Sequence, residues 1–433
     1  MLKTFYIINL GCRVNLYESI SIAGQMINCG YKQVKNINNA DICIINTCSV
    51  TSRADAKSRY FINKANNIKQ INLIIVCGCF SQINYEKIIN KAHIIIGNVY
   101  KSNITKLIDE YLKKQQKIIK IIEPNLITKY ESFPSYSYDN NTKGFIKIQD
   151  GCDYMCSYCL IPFARGRQRS VSPEIVISTI EKLINEGIYE IVLTGVNTAG
   201  YKYENCSFYD LLKMINELPG DFRVRISSIE PFQISHEIID LITSNKKRWV
   251  QEFHLCLQSA HNKILLLMNR KYTIEQFYEL CKYIRTKNKL ASISTDYIVG
   301  FNNETIDTFN LSIKWLKKIK FSFMNIFPYS QRPLTLSAKK NENVVDLKTK
   351  FIWTKRLQEY ANKWTHEYLK KFINKIVTVY FEKNKNNTQP NGYCEYFFKV
   401  YVNTKTNLNK KVLPVKIIKL EGNKLYGKIT NTH

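Results

Sequence analysis

From residue 4 onward, short apolar runs alternate with stretches whose apolar positions recur every three or four residues. The runs suit buried strands, and the recurring positions suit helices with one face on a core. Phe5 to Leu10, Ile42 to Ile45, Leu73 to Val76 and Ile94 to Ile96 read as strands. Leu16 to Cys29, Ala54 to Asn67 and Ile104 to Ile119 read as helices. Continuous apolar strands separated by helices imply a parallel sheet covered on both faces. The pattern therefore predicts a doubly wound, flavodoxin-like domain over about 1–125.

Residues 126–142 lose this periodicity and gather Pro, Ser, Tyr and Asn, the composition of a linker. A second α/β series fills 143–369. Its strands are Phe145 to Ile148, Glu190 to Leu193, Arg223 to Ile226, Glu252 to Leu257, Ile293 to Val299 and Phe323 to Phe327. Helical stretches such as Pro173 to Glu186, Ile274 to Arg285 and Glu304 to Lys318 lie between them. Six βα units predict a partial (β/α)6 barrel, with its chemistry at the strand carboxyl ends. In 370–433 the runs Ile376 to Phe381, Phe397 to Val402 and Val412 to Ile418 are β-branched or alternating and bounded by Asn-rich turns. They predict a small OB-like β-barrel, a form used to bind RNA.

Charge sharpens that last expectation. The chain carries 63 Lys and Arg against 35 Asp and Glu, a net +28, which points to a polyanionic partner. Residues 370–433 hold thirteen Lys and three Glu with no Arg or Asp. Thirteen cysteines are an odd number in a chain too large to need disulfide staples, so a reducing, cytoplasmic setting is expected. The start MLKTFYIINLGC resembles a lipoprotein signal only faintly, because its apolar run is short, and nothing approaches a membrane span.

The densest chemistry lies in GCDYMCSYCLIPFARGRQRS at 151–170. Cys152, Cys156 and Cys159 fall within eight residues, close enough to hold one metal centre. Tetranuclear iron–sulfur clusters are held by cysteine thiolates and normally take four, so three leave one iron open. Zinc is the alternative, although no His stands nearby to complete a tetrahedron. Arg165, Arg167 and Arg169 follow at once, and their guanidinium forks suit RNA phosphate or a carboxylate. A solvated basic loop is the plainer reading.

Three further cysteines follow strand ends: Cys12 in GCRVN, Cys48 in NTCSV and Cys79 in CGCFSQ. Ligands of open parallel sheets bind at those ends, so these three can converge. Cys77 competes with Cys79, but it belongs to the apolar run, whereas Cys79 lies beyond Gly78.

The CxxxCxxC spacing, with Tyr158 before the last cysteine, resembles the radical S-adenosylmethionine (SAM) enzymes. The whole chain resembles the methylthiotransferases, through GCRVN, NTCSVT, GCFSQ and KIQDGCDYMCSYCLIPFARGR. ARGRQRS, SSIEP, LQSA and MNRKYT look more like the branch acting on threonylcarbamoyladenosine. FNNET stands where an FPGET-like turn is common, LQSA replaces LQSG, and Cys394 replaces a threonine.

The resemblance implies two 4Fe-4S clusters. Cys152, Cys156 and Cys159 would hold the one that cleaves SAM, and Cys12, Cys48 and Cys79 an auxiliary one carrying the sulfur to be inserted. It implies SAM near Tyr158, Thr194, Gly195, Ser228, Glu230, Gln258, Ser259, Ile298 and Gly300. The implied reaction is methylthiolation of carbon 2 of N6-threonylcarbamoyladenosine at position 37, in the anticodon stem-loop of tRNA. The implied reductant is flavodoxin or ferredoxin, and a TRAM domain would close the chain. Isopentenyladenosine and a ribosomal-protein aspartate are the alternative substrates, and a non-catalytic iron–sulfur RNA-binding protein is the reading of a different class.

Overall fold

The computed structural model describes residues 2–133, 142–340, 342–383 and 389–430. The expected linker at 126–142 therefore lies partly outside the described residues.

The first sheet is built from β1 (Thr4–Asn9), β2 (Lys32–Gln33), β3 (Ile42–Thr47), β4 (Leu73–Gly78), β5 (Ile94–Ile96) and β6 (Ile118–Lys120). The strands are parallel in the order β2-β1-β3-β4-β5-β6, the flavodoxin-like arrangement with one strand added. All six positions of β3 and of β4 are buried, as strands covered on both faces require. The helices α1 (Arg13–Asn28), α2 (Ser52–Asn66), α3 (Cys79–Asn84) and α4 (Ile104–Lys114) supply the cover. Ile22, Met26, Leu107 and Ile108 pack one face, and Ile62, Ala65 and Phe80 the other.

Two differences from the expected elements have local causes. The helix expected over Ile104 to Ile119 stops at Lys114, where Gln115 takes a left-handed φ of 52°. Ile118 and Ile119 then enter β6 instead of extending the helix. The two-residue β2 is too short to leave a period.

The central region runs through β7 (Lys143–Lys147), β8 (Gln149–Asp150), α5 (Ile161–Arg165), β9 (Arg169–Ser170), α6 (Pro173–Asn185) and β10 (Glu190–Thr194). A small hairpin, β11 (Lys202–Tyr203) with β12 (Cys206–Ser207), precedes α7 (Phe208–Glu217) and β13 (Arg223–Ile226). Next come α8 (His236–Ser244), β14 (Glu252–His254), α9 (Asn262–Leu267), α10 (Ile274–Lys287), β15 (Ser292–Val299), α11 (Ile306–Ile319) and β16 (Phe323–Pro328). The parallel triplets β13-β10-β7 and β14-β15-β16 are joined by bridges Val224 to Trp249 and Ile229 to Leu255. Among the described residues β7 and β16 form no ladder with each other, so the six strands make an open barrel. After α12 (Leu336–Lys340), the long α13 (Leu347–Lys370) packs against β16 at the open side.

The chain closes with β17 (Ile376–Phe381), β18 (Asn391–Cys394), β19 (Lys399–Val402), β20 (Val412–Glu421) and β21 (Lys424–Ile429). They form a closed barrel in the order β17-β18-β19-β21-β20, with β19 parallel to β21. A five-stranded barrel of this kind is OB-like. It is keyed to the central barrel where the Arg223 guanidinium donates to the Tyr393 carbonyl at 2.9 Å and the Gln251 amide to the Glu395 carbonyl at 2.7 Å. Cys394 is fully buried in its core. No helix among the described residues is long and apolar enough to cross a membrane.

Candidate functional site

The carboxyl ends of β1, β3 and β4 carry Cys12, Cys48 and Cys79. Asn15, one turn into α1, ties two of these ends together: its side-chain amide donates to the Leu10 carbonyl at 2.7 Å and the Thr47 carbonyl at 2.9 Å. The Thr47 hydroxyl donates to the Cys77 carbonyl at 2.6 Å, which adds the third end. Two glycines are needed for this closeness. Gly11 has φ 101°, and a Cβ there would lie 2.8 Å from the Cys48 sulfur. Gly78 has φ 103°, and a Cβ there would lie 2.5 Å from the Thr47 carbonyl oxygen. Only glycine meets both demands at each place.

Cys12, Cys48 and Cys79 open into one cavity of about 490 Å³. Cys77, by contrast, lies within β4 with its side chain fully buried in the apolar core. Burial pushes the Cys48 thiol up to about 12, with the neighbouring Cys79 adding to the rise. Thiols so raised are poor nucleophiles when free, and a metal that displaces the proton turns them into ligands. The Asn98 amide donates to the Cys79 sulfur at 3.5 Å and to the Ala164 carbonyl at 2.8 Å, linking this trio to the loop that carries the other.

Cys152, Cys156 and Cys159 sit beyond the first barrel strand. The Cys159 amide donates to the Cys156 carbonyl at 2.9 Å, which curls the loop, and Cys152 and Cys159 both feel Cys156 as a neighbouring charge. Burial pushes Cys152 up to about 12 and raises Cys156 and Cys159 as well, with Arg270 acting against the rise at Cys156. The MNRK stretch holds the loop from below. Ser157 donates from its amide to the Met268 carbonyl at 3.0 Å and from its hydroxyl to the Leu267 carbonyl at 2.7 Å. Arg270 donates to the Cys156 sulfur at 3.5 Å while gripping Glu230 with both arms of its guanidinium. Sequence reasoning missed Arg270, although its place inside the quoted motif MNRKYT was a signal.

Cys159 and Tyr158 line the same 490 Å³ cavity as the first trio, together with Gln258 and Ile298. Four cysteines from four separate stretches of the chain thus face one space. The donor set is sulfur alone, with no His or carboxylate in either trio, and this suits iron–sulfur clusters.

The other residues expected around SAM divide. Thr194, Gly195 and Ser228 line an adjoining cleft of about 770 Å³. Glu230 lines neither space, because Arg270 holds it. Ser259 is fully buried beside the Tyr297 hydroxyl and lines neither space. Gly300 also lines neither space, and α13 packs so tightly on it that a Cβ would lie 2.4 Å from the Lys350 side chain.

The arginine loop also departs from expectation. Arg167 is 74% exposed, but Arg165 is fully buried, reaching Glu18 at 2.9 Å, Asp150 at 3.0 Å and Asn15 at 2.7 Å. Arg169 reaches Asp150 at 3.2 Å. Lys101 and Lys147 complete the cluster around Glu18. Burial alone would raise the Glu18 carboxyl, yet Arg165, Lys101 and Lys147 hold it below its ordinary range. Arg165 therefore ties the first domain to the central one, Arg169 is tied within the central one, and both guanidinium groups are already engaged.

The 770 Å³ cleft starts beside Cys12 and runs through the barrel lumen to Phe397 and Lys399 of the last domain. Its polar wall is a chain of contacts. Arg225 donates to Glu252 at 2.7 Å, Ser294 to Glu252 at 2.8 Å, and the His254 Nδ1 lies 2.8 Å from Ser294. His254 Nε2 lies 3.3 Å from Asp296, which also accepts from Asn325 at 2.9 Å. Burial opposes ionisation of Asp296, but His254 and Asn325 hold its carboxyl below the ordinary range. These residues were missed as well; polar side chains at alternate positions of inner barrel strands were the available signal.

The chain matches two family descriptions: uncharacterized protein family UPF0004 over residues 4–97, and the radical SAM superfamily over 146–316. It is 34% identical to the threonylcarbamoyladenosine tRNA methylthiotransferase MtaB of Aquifex aeolicus, over 87% of this chain and 89% of that one. It is 33% identical to the MtaB of Bacillus subtilis, over 95% and 92%. A tRNA-2-methylthio-N(6)-dimethylallyladenosine synthase of Campylobacter hominis is also 33% identical, over 99% and 100%. Among solved structures, the radical SAM methyltransferase TsrM of Kitasatospora setae superposes with a TM-score of 0.58 at 13% identity, covering 78% of this chain and 76% of that one. This last likeness is one of fold.

Proposed function

Because the chain belongs to the radical SAM methylthiotransferase family, we propose that it methylthiolates carbon 2 of N6-threonylcarbamoyladenosine at position 37 of tRNA. The carrying observation is that Cys12, Cys48, Cys79 and Cys159 open into one cavity. A sulfur held at the first trio and a SAM held at the second would then be within reach of one substrate base.

Cys152, Cys156 and Cys159 would hold one 4Fe-4S cluster, and Cys12, Cys48 and Cys79 the other. When bound, the clusters and SAM supply the one-electron chemistry, the sulfur and the methyl group. The protein's part is placement. Arg270 fixes Cys156 and buries Glu230's charge beside it. Gly11 and Gly78 let three strand ends come together. Tyr158, Ile298 and Phe327 give the cavity an apolar wall. The basic OB-like barrel, with ten more positive than negative side chains over 370–433 (13 − 3), gives the RNA backbone an electrostatic footing.

The test is nucleoside mass spectrometry of tRNA from a deletion strain. Loss of the 2-methylthio derivative of threonylcarbamoyladenosine is expected. Its persistence, with loss of methylthio-isopentenyladenosine instead, would replace this substrate by that of the Campylobacter relative's name.

A further inference from the structure

We propose that Arg13 binds the carboxylate of the threonylcarbamoyl group, and so selects the acid-bearing adenosine. The inference rests on the substrate reading above and adds the residue that recognises it.

Arg13 follows Cys12 directly and lines the 770 Å³ cleft on its cluster side. The other cations that line it are paired: Arg225 with Glu252, Lys399 with Glu382, and His254 with Asp296. Arg13 makes no hydrogen bond and no ion pair among the described residues. The guanidinium is partly buried, has the like-charged Arg225 as a neighbour, and is charged at neutral pH as any arginine is. Glu252 and Asp296 attract it from a distance but are already engaged. A desolvated guanidinium without a partner is costly, and a ligand carboxylate that accepts two parallel N–H bonds removes that cost.

Position separates the candidate anions. The RNA backbone would meet the lysine-rich surface of the last domain, whereas this cleft is a lumen whose wall includes the buried Ser292 and Ser294. A carboxylate at the end of a base substituent can enter such a lumen. The isopentenyl substituent carries no charge and would leave Arg13 unpaired, so the same residue favours one substrate and penalises the other.

The test uses reconstituted holoenzyme and anticodon stem-loops bearing either threonylcarbamoyladenosine or its carboxylate methyl ester. Binding is read by fluorescence anisotropy, and kcat and KM by methylthio product. Wild type is expected to bind the ester about 10- to 100-fold more weakly than the acid, the worth of a charge-assisted hydrogen bond. Arg13→Gln is expected to bind acid and ester within about twofold of each other, with the loss in KM, and Arg13→Lys to recover part of the preference. An unchanged acid-to-ester ratio in Arg13→Gln overturns the proposal. So does an equal loss for both RNAs, which would mark a phosphate contact, or a rise confined to the KM for SAM. Wild type active only on isopentenyladenosine would overturn the substrate reading, whereas activity on the acid with an unchanged Arg13→Gln ratio would overturn the Arg13 proposal alone.

Discussion

Cys77 and Cys79 are two residues apart, yet one lies in the core and the other faces the cavity. Gly78 between them turns the chain. Cys79→Ser is expected to lower iron from roughly eight to roughly four per chain in anaerobically reconstituted protein. Cys77→Ser should keep the iron and lower the melting temperature, because it buries a hydroxyl in an apolar core at a cost of about 1–3 kcal/mol. The choice between the two was legible from sequence because a buried strand ends where its apolar run does. The fate of Arg165 was not. A basic loop reads as solvent-facing until its partner is known, and Glu18 stands 147 positions away.

Glu304 shows how a departure in sequence can preserve a local structure. In FNNET, Asn303 takes φ 65°, a conformation Asn tolerates better than most residues. Glu304 then turns inward, accepting from the amides of Gly300 and Phe301. Burial pushes its carboxyl up to about 7, from an ordinary 4.5, against those two amides. The folded protein therefore keeps a proton that the unfolded chain gives up above about pH 4.5. The stabilisation from this group is full below that pH and is lost as pH rises through about 7. Glu304→Gln, which stays neutral, should melt above wild type at pH 8, by on the order of 3 kcal/mol at most, and should match it near pH 5. Melting curves across that range check the sign.

At the scale of elements, the strands were legible because strands buried on both faces cannot hide their composition: all twelve residues of β3 and β4 are buried. What escaped was set by pairing. β2 exists through its register with Thr4 and Phe5, and β6 through its register with Ile94 to Ile96. The site depends on the same strand ends, so backbone changes there should act on metal content first. Gly78→Ala must either leave its φ of 103° or press on the Thr47 carbonyl, which is backbone and cannot swing away. The expected result is loss of the first trio's iron and a destabilisation of about 1–3 kcal/mol, with the Cys152 trio's iron retained. Iron assays and melting temperatures on the one variant read both.

Over the whole molecule, the two cysteine-bearing domains are held in register by a buried cluster with more positive than negative charge. Lys101, Lys147, Arg165 and Arg169 make their ion pairs with Glu18 and Asp150, and Glu131 acts on the two lysines from farther off, so even with it counted (4 − 3) the positive charges are in excess. Arg165 acts on the Cys12 thiol, and Cys79 acts on Arg165 in turn, so thiolates at the first trio supply part of the missing negative charge. Metal binding, which keeps those sulfurs deprotonated, should therefore tighten the interface between the domains. Glu18→Gln removes the carboxylate that three cations share, and breaking such a buried set by taking one partner costs about 3–5 kcal/mol. The variant should melt well below wild type, and added salt should change the difference little, because the charges are out of reach of screening ions. Chelating the iron should bring the wild-type melting temperature down toward that of the variant. A salt-sensitive difference, or a wild-type melting temperature indifferent to iron, would show that the cluster at Glu18 and the first trio are energetically separate.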